Sequence, residues 1–197
     1  MRIRCVLLAF LALAVGACAA PQDGAGRPAA AAPATTAAAR AATAPTGPAR
    51  PLPHGITPAA RRPPAPALRV TAFDGRTVTL DGFRGRPVVV SFFESWCGIC
   101  RVEQPDLSQV AKEFAGRVGF VGVSYHDTVA AGRAYQGRFA VPYPLANDAS
   151  GRTWARWRVP YQPVTVLVDK QGRVAERFDG GTTGGTLRTA LTYLAGE

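Results

Sequence analysis

Histidine, methionine and acidic side chains are scarce in this 197-residue chain: two, one and thirteen respectively, against 23 lysines and arginines. Cysteine is limited to Cys5, Cys18, Cys97 and Cys100. A structural zinc site takes four ligands. Cys5 and Cys18 lie far from the Cys97–Cys100 pair in sequence and the histidines are His54 and His126, so the ligand count fails and no metal is expected. Attachment of a c-type haem needs histidine directly after the second cysteine of a Cys-x-x-Cys, and Arg101 stands there. The chain has no zinc finger and no RNP-type aromatic strand, so its formal charge of +10 is not read as nucleic-acid binding. Residues 19–65 contain no aromatic residue, and no internal repeat is visible.

What is present divides the chain in three. Arg2 and Arg4 precede the apolar run Val6–Val15, which is too short for a membrane-spanning helix and has the layout of an export signal over residues 1–17. Residues 18–65 are Ala, Pro, Thr and Gly with scattered Arg, too poor in apolar bulk to offset chain entropy, and read as a disordered tether. Residues 66–197 have the size of one domain. Seven basic residues and one acid lie in residues 1–66, so the folded part is only mildly cationic. The excess reads as attraction to an anionic membrane surface or wall polymer.

The chemistry centres on Ser91-Phe92-Phe93-Glu94-Ser95-Trp96-Cys97-Gly98-Ile99-Cys100-Arg101. An apolar β-type run, Pro87 to Phe93, feeds into Cys-x-x-Cys, and a helix-like pattern with Val102, Leu107, Val110, Ala111 and Phe114 follows. That order places Cys97 at a helix N-terminus, where free N–H groups and the helix dipole stabilise a thiolate. Cys100, one turn on, can close a disulfide with it. Glu103 follows on the same helix face as Cys100. There it reads as a carboxyl that relays protons and tunes the thiols. Trp96 reads as an apolar rim for a docking peptide, Glu94 as an exposed loop acid, His126 as a loop histidine, and Trp154, Trp157 and Tyr161 as a packed cluster.

Coarse elements follow from periodicity. Leu68–Ala72 and Thr77–Leu80 alternate as an N-terminal β-hairpin around Asp74-Gly75, and Val88–Phe93 is a buried central strand. The helix from Cys97 to about Phe114 contains Pro105, which removes the bond to the Arg101 carbonyl and is expected to kink the helix there. Val118–Ser124 is a parallel strand, Val129–Phe139 its crossover helix capped by Asp127 or Thr128, and Ala149–Trp157 a short helix after an extended Pro142–Leu145. Val164–Val168 and Arg173–Phe178 pair across the Lys170–Gly172 turn, and Thr186–Leu194 closes the domain.

On these residues the chain resembles the thioredoxin superfamily, and within it the extracytoplasmic TlpA/ResA/DsbE-like thiol–disulfide oxidoreductases. The resemblance rests on Trp96-Cys97-Gly98-Ile99-Cys100-Arg101, on Glu103 and Pro105, on Pro163 before Val164–Asp169, and on the entry Phe73–Leu80 with Arg84–Pro87. Gln162 before the proline and Phe93-Glu94-Ser95 before Trp96 depart from the commoner pattern. The resemblance implies an α/β thioredoxin-like fold, a central mixed sheet flanked by helices. It implies Cys97 and Cys100 as the catalytic redox-active disulfide with no further cofactor, and Gln162 and cis Pro163 as a substrate-binding loop beside them. Val15-Gly16-Ala17-Cys18 is similar to a lipobox, which implies lipidation at Cys18 and attachment to the outer face of the membrane; an ordinary cleaved signal and a soluble secreted or periplasmic protein is the alternative.

The implied partners are exported protein thiols and disulfides, apocytochrome c among them, a membrane electron-carrier protein, and the bilayer through the anchor. Gly98-Ile99 adds no positive charge between the thiols and a Glu103 anion opposes the thiolate, which makes the couple less oxidising and leans the direction to reductase. A disulfide oxidase of the same fold remains the alternative. A thiol peroxidase fits less well, because the Pro-x-x-x-Thr-x-x-Cys pattern of peroxiredoxins is missing and Glu94 stands three before Cys97. A non-catalytic binding module would leave the intact dithiol without a use.

Overall fold

The computed structural model describes residues 51–197. The export signal, the lipidation at Cys18 and residues 18–50 of the tether lie outside the described residues. In chain order the elements are β1 (Arg69–Ala72), β2 (Thr77–Thr79), β3 (Val88–Phe92), α1 (Gly98–Glu113), β4 (Gly119–Ser124), α2 (Val129–Arg138), β5 (Leu145–Asn147), α3 (Arg152–Arg156), β6 (Val164–Val168), β7 (Val174–Asp179) and α4 (Gly184–Ala195). Short 3-10 turns occupy Ala59–Arg61 and Leu80–Phe83. Among the described residues no helix is long and apolar enough to cross a membrane.

The strands form one mixed sheet in the order β2-β1-β5-β4-β3-β6-β7. β3 lies parallel to β4, with Val88 opposite Gly119, and antiparallel to β6, with Val88 opposite Val168. Its sequence, apolar except for the buried Ser91, follows from burial on both faces. Val88, Val90 and Phe92 join Val121, Val123, Val164, Val166, Trp154 and Trp157 on one side. Val89 and Phe93 join Leu107 and Val110 of α1, and Leu187 and Leu191 of α4, on the other. Phe92 meets the Trp154 ring edge-on at 5.9 Å and the Trp157 ring at 5.6 Å, so these two tryptophans form the expected cluster. Tyr161 does not join it and is exposed. β1 pairs with β2 in antiparallel register, Val70 opposite Val78.

Three boundaries differ from the sequence reading. The segment after Pro142 and Pro144 becomes the strand β5, which bridges β4 in parallel and β1 in antiparallel. The helix expected from Ala149 begins only at Arg152, because Gly151 takes a left-handed φ of 68° and Asp148 Oδ2 accepts the Trp154 N–H at 2.9 Å. Residues 51–65, assigned to the tether by composition, pack on the folded domain instead. β7 is an edge strand, and its outward backbone groups need cover. The Thr57 N–H donates to the Ala175 carbonyl and the Val174 N–H to the Pro63 carbonyl, each at 2.8 Å. Ile56 enters the core, and the buried Arg62 guanidinium bridges Asp169 at 3.1 Å and Glu197 at 2.6 Å. Few contacts suffice to hold the strap, and an average composition does not reveal them.

Candidate active site

β3 ends at Phe92, and the Phe93 N–H donates to the Val123 carbonyl of β4. Five residues later α1 begins, with Cys97 as its N-cap. The Cys97 sulfur accepts the Cys100 N–H at 3.2 Å, so a free amide of the first helical turn points at it. Cys97 and Cys100 are joined as a disulfide with Cα atoms 5.3 Å apart. Cys97 keeps 7% of its surface in solvent and Cys100 keeps 1%. The dithiol sits beyond the carboxyl end of a central strand, where open α/β sheets carry their sites.

Two acids fix the loop that delivers Cys97. Glu94 is fully buried, contrary to the exposed loop acid read from the sequence. Its carboxylate accepts the Ser124 hydroxyl and the Tyr125 and His126 N–H groups, all at 3.0 Å, and lies 3.3 Å from His126 Nδ1. A buried carboxylate needs such donors, and the end of β4 supplies them. Its backbone carbonyl in turn accepts the Cys97 N–H at 3.0 Å. Asp127 reaches back from the β4–α2 loop to take the Ser95 hydroxyl at 2.6 Å and the Ser95 N–H at 2.9 Å. Thr128 rather than Asp127 caps α2. The exposed His126 ring lies tilted against the Tyr125 ring, with centroids 3.9 Å apart, at the edge of this clamp.

Behind the dithiol, the Tyr135 hydroxyl donates to the Cys100 carbonyl at 3.0 Å and lies 3.3 Å from Gln104 Oε1. Gln104 Nε2 donates to Tyr143 at 2.8 Å and to Ser108 at 3.0 Å. Burial holds both phenols well above their ordinary pKa, so they remain protonated. α1 continues through Pro105 as one helix.

Glu103 is buried on α1, with its pKa pushed up to about 7 chiefly by loss of solvent and opposed by the Thr182 N–H that Oε2 accepts at 3.1 Å. The loop Gly180–Thr182 lies over it: a Cβ on Gly181 would come within 3.3 Å of Glu103 Oε2 and 3.2 Å of Ile99. The same loop meets the proline turn, since the Gly180 N–H donates to the Pro163 carbonyl at 3.0 Å. The Gln162–Pro163 bond is the one cis peptide among the described residues, with Pro163 buried and Gln162 half-buried. Across the sheet, Val164 pairs with Phe92, the last residue of β3. Trp96 and Ile99, each 59% exposed, and Val102 at 81% leave an apolar surface beside the disulfide. Among the described residues no cluster of His, Cys, Asp and Glu is placed to hold a metal.

Glu94, Asp127, Tyr135 and the Gly180–Thr182 loop were not picked out by sequence reasoning as parts of the site. The one local signal was an acid in a loop entered from an apolar strand, which requires partners if the loop is buried.

A sequence profile of the AhpC/TSA family matches residues 62–177, more than half of the chain. The soluble secreted antigen MPT53 of Mycobacterium tuberculosis (strain ATCC 25618 / H37Rv) is 35% identical over 108 residues, 55% of this chain and 59% of the antigen. The thiol:disulfide interchange protein DsbE of Pseudomonas fluorescens biotype C is 31% identical over 119 residues, 59% of this chain and 65% of that protein. The match thus spans under two thirds of either relative. The crystal structure of a secreted Mycobacterium tuberculosis disulfide oxidoreductase homologous to E. coli DsbE aligns with a TM-score of 0.59 at 29% identity, over 64% of this chain and 96% of that one. The chain belongs to the AhpC/TSA family and carries its dithiol on a thioredoxin-like fold.

Proposed function

We propose that this protein is an extracytoplasmic thiol–disulfide oxidoreductase that exchanges disulfides with exported proteins through Cys97 and Cys100. The observation that carries the reading is the N-cap position of Cys97: its sulfur accepts a helix amide and is the more exposed of the pair. A thiolate there is stabilised and reachable. In the reducing direction the Cys97 thiolate attacks a substrate disulfide. One substrate sulfur bonds to Cys97, and the other leaves as a thiolate that takes up a proton. Cys100 then loses its proton and attacks Cys97 Sγ, which closes the Cys97–Cys100 disulfide and releases the second substrate sulfur as a thiol. Two electrons pass from the dithiol to the substrate.

Glu103, on the helix face of Cys100 and titrating near neutrality, is the group we assign to the Cys100 proton. Trp96 and the Gln162–Pro163 turn form the docking edge, where an extended peptide pairs with the Gln162 backbone. Direction leans to reductase because no cation lies between the cysteines. The redox-active disulfide needs no further cofactor. Lipidation at Cys18 would tether the domain to the membrane, within reach of an electron-carrier protein and of substrates such as apocytochrome c.

Reduction of insulin disulfides tests the activity. The parent protein should accelerate it, and Cys97→Ser should abolish the acceleration. Equilibration of the dithiol with glutathione then fixes the direction. Peroxide consumption by the reduced protein at a rate exceeding disulfide exchange would replace this reading with a thiol peroxidase.

A further inference from the structure

The pole of the domain opposite the dithiol carries an unbalanced band of positive charge. β3 and β4 start at this pole and run toward the site, and α1 starts at the site and runs back. Lys112 therefore lies fifteen residues along α1 from Cys97, about 22 Å at helical rise. Three clefts adjoin one another there. One is bordered by Phe83, Arg84, Arg86 and Lys170. The next shares Phe83 and Arg86 and extends to Lys112. The third shares Lys170 and extends to Arg173.

Of the carboxylates that border these clefts, Asp81 pairs with Arg84 at 2.8 Å, while Asp169 and Glu197 share the single Arg62 cation, which leaves one carboxylate charge uncompensated. Arg86, Lys112, Lys170 and Arg173 have no carboxylate partner among the described residues. Arg86 lies over the Phe83 ring at 5.4 Å, and Arg173 Nε donates to the Arg62 carbonyl, which holds both guanidinium groups at the rim. The strap enters beside this band, with Ala65 lining the first cleft, and the sequence of residues 18–61 carries Arg27, Arg40, Arg50 and Arg61 against Asp23.

We infer that this dithiol-distal pole is an electrostatic docking face for the anionic headgroups of a phospholipid bilayer. A bilayer fits better than an acidic protein because the band is spread over several adjoining clefts and the sequence upstream of the strap is itself basic. Docking there leaves the dithiol facing away from the surface and open to substrate. The inference does not depend on the redox reading, because vesicle binding is measured without any redox assay.

Sedimentation of the full chain carrying Cys18→Ala, which excludes an acyl anchor, tests it on phosphatidylcholine vesicles with and without phosphatidylglycerol. Each cation at an anionic leaflet contributes about five-fold in affinity. Lys112→Gln/Lys170→Gln should therefore weaken binding to phosphatidylglycerol vesicles by about ten-fold or more, and added salt should weaken the parent. Arg86→Gln/Arg173→Gln, an independent pair, should do the same. The control Arg69→Gln/Arg152→Gln removes equal charge elsewhere and should cost no more than about two-fold. Equal losses in all three variants would overturn the docking face in favour of net charge alone. Failure of the parent to bind anionic vesicles would overturn it too, as would binding of polyglutamate through the same residues in place of vesicles.

Discussion

The Glu103 carboxylate accepts the Thr182 backbone N–H at 3.1 Å through one oxygen and buries the other without a hydrogen-bond partner among the described residues. Burial strips the carboxyl of the solvent that would favour its charged form, the single Thr182 bond only partly compensates, and its pKa rises to about 7. Because the folded value exceeds the ordinary 4.5, the folded state binds the proton more tightly than the unfolded chain. The associated stability is fully present below about pH 4.5 and is lost as pH rises to about 7. Its size is on the order of 2 kcal/mol. Glu176, also pushed up to about 7 by burial, acts in the same direction. Urea midpoints across this window should fall with rising pH in the parent. Glu103→Gln and Glu176→Gln should each flatten part of that slope.

The same Glu103→Gln substitution should lower the Cys97 pKa in the reduced protein, since a neighbouring anion opposes a thiolate. Turnover should fall by about 100-fold if the carboxyl carries the Cys100 proton. Alkylation rate against pH reads the first effect and insulin reduction the second. An unchanged titration and rate would leave Glu103 as a buried residue with no part in the chemistry.

Glu94→Gln replaces an acceptor-only carboxylate by an amide whose NH2 faces N–H donors from Tyr125 and His126. The expected cost is about 2–3 kcal/mol, seen as a lower urea midpoint at unchanged slope. Since the Glu94 carbonyl holds the Cys97 N–H, disulfide exchange should slow as well.

Arg62→Ala leaves Asp169 buried without its cation, at a cost of about 3–5 kcal/mol. The strap loses its side-chain tie to Asp169 and Glu197, so limited proteolysis should cut within residues 51–61 well before the remainder unfolds. Removal of Glu197 alone, a partly exposed partner, should cost less.

The sequence made β3 and the dithiol legible because both are local: an apolar run, a Cys-x-x-Cys and a helical period are contiguous. The Gln162–Pro163 turn was legible from the proline directly before a strand together with family resemblance. Glu94 was not, because its donors lie 30 to 32 residues away and only the end of β4 reveals them. Arg62 was hidden for the same reason, with partners 107 and 135 residues distant. β5 is three residues long between a proline pair and a left-handed glycine, too short for periodicity to register.

Trapping with the Cys100→Ser variant tests whether Cys97 is the attacking thiol and Cys100 the resolving one. With the resolving thiol removed, a disulfide-bearing peptide should remain bonded to Cys97 as a mixed disulfide, visible as one added half-peptide by mass spectrometry of the non-reduced protein. Cys97→Ser should trap almost none, because its remaining thiol is the buried one. Absence of an adduct on Cys97, or equal adducts in both variants, would contradict the account.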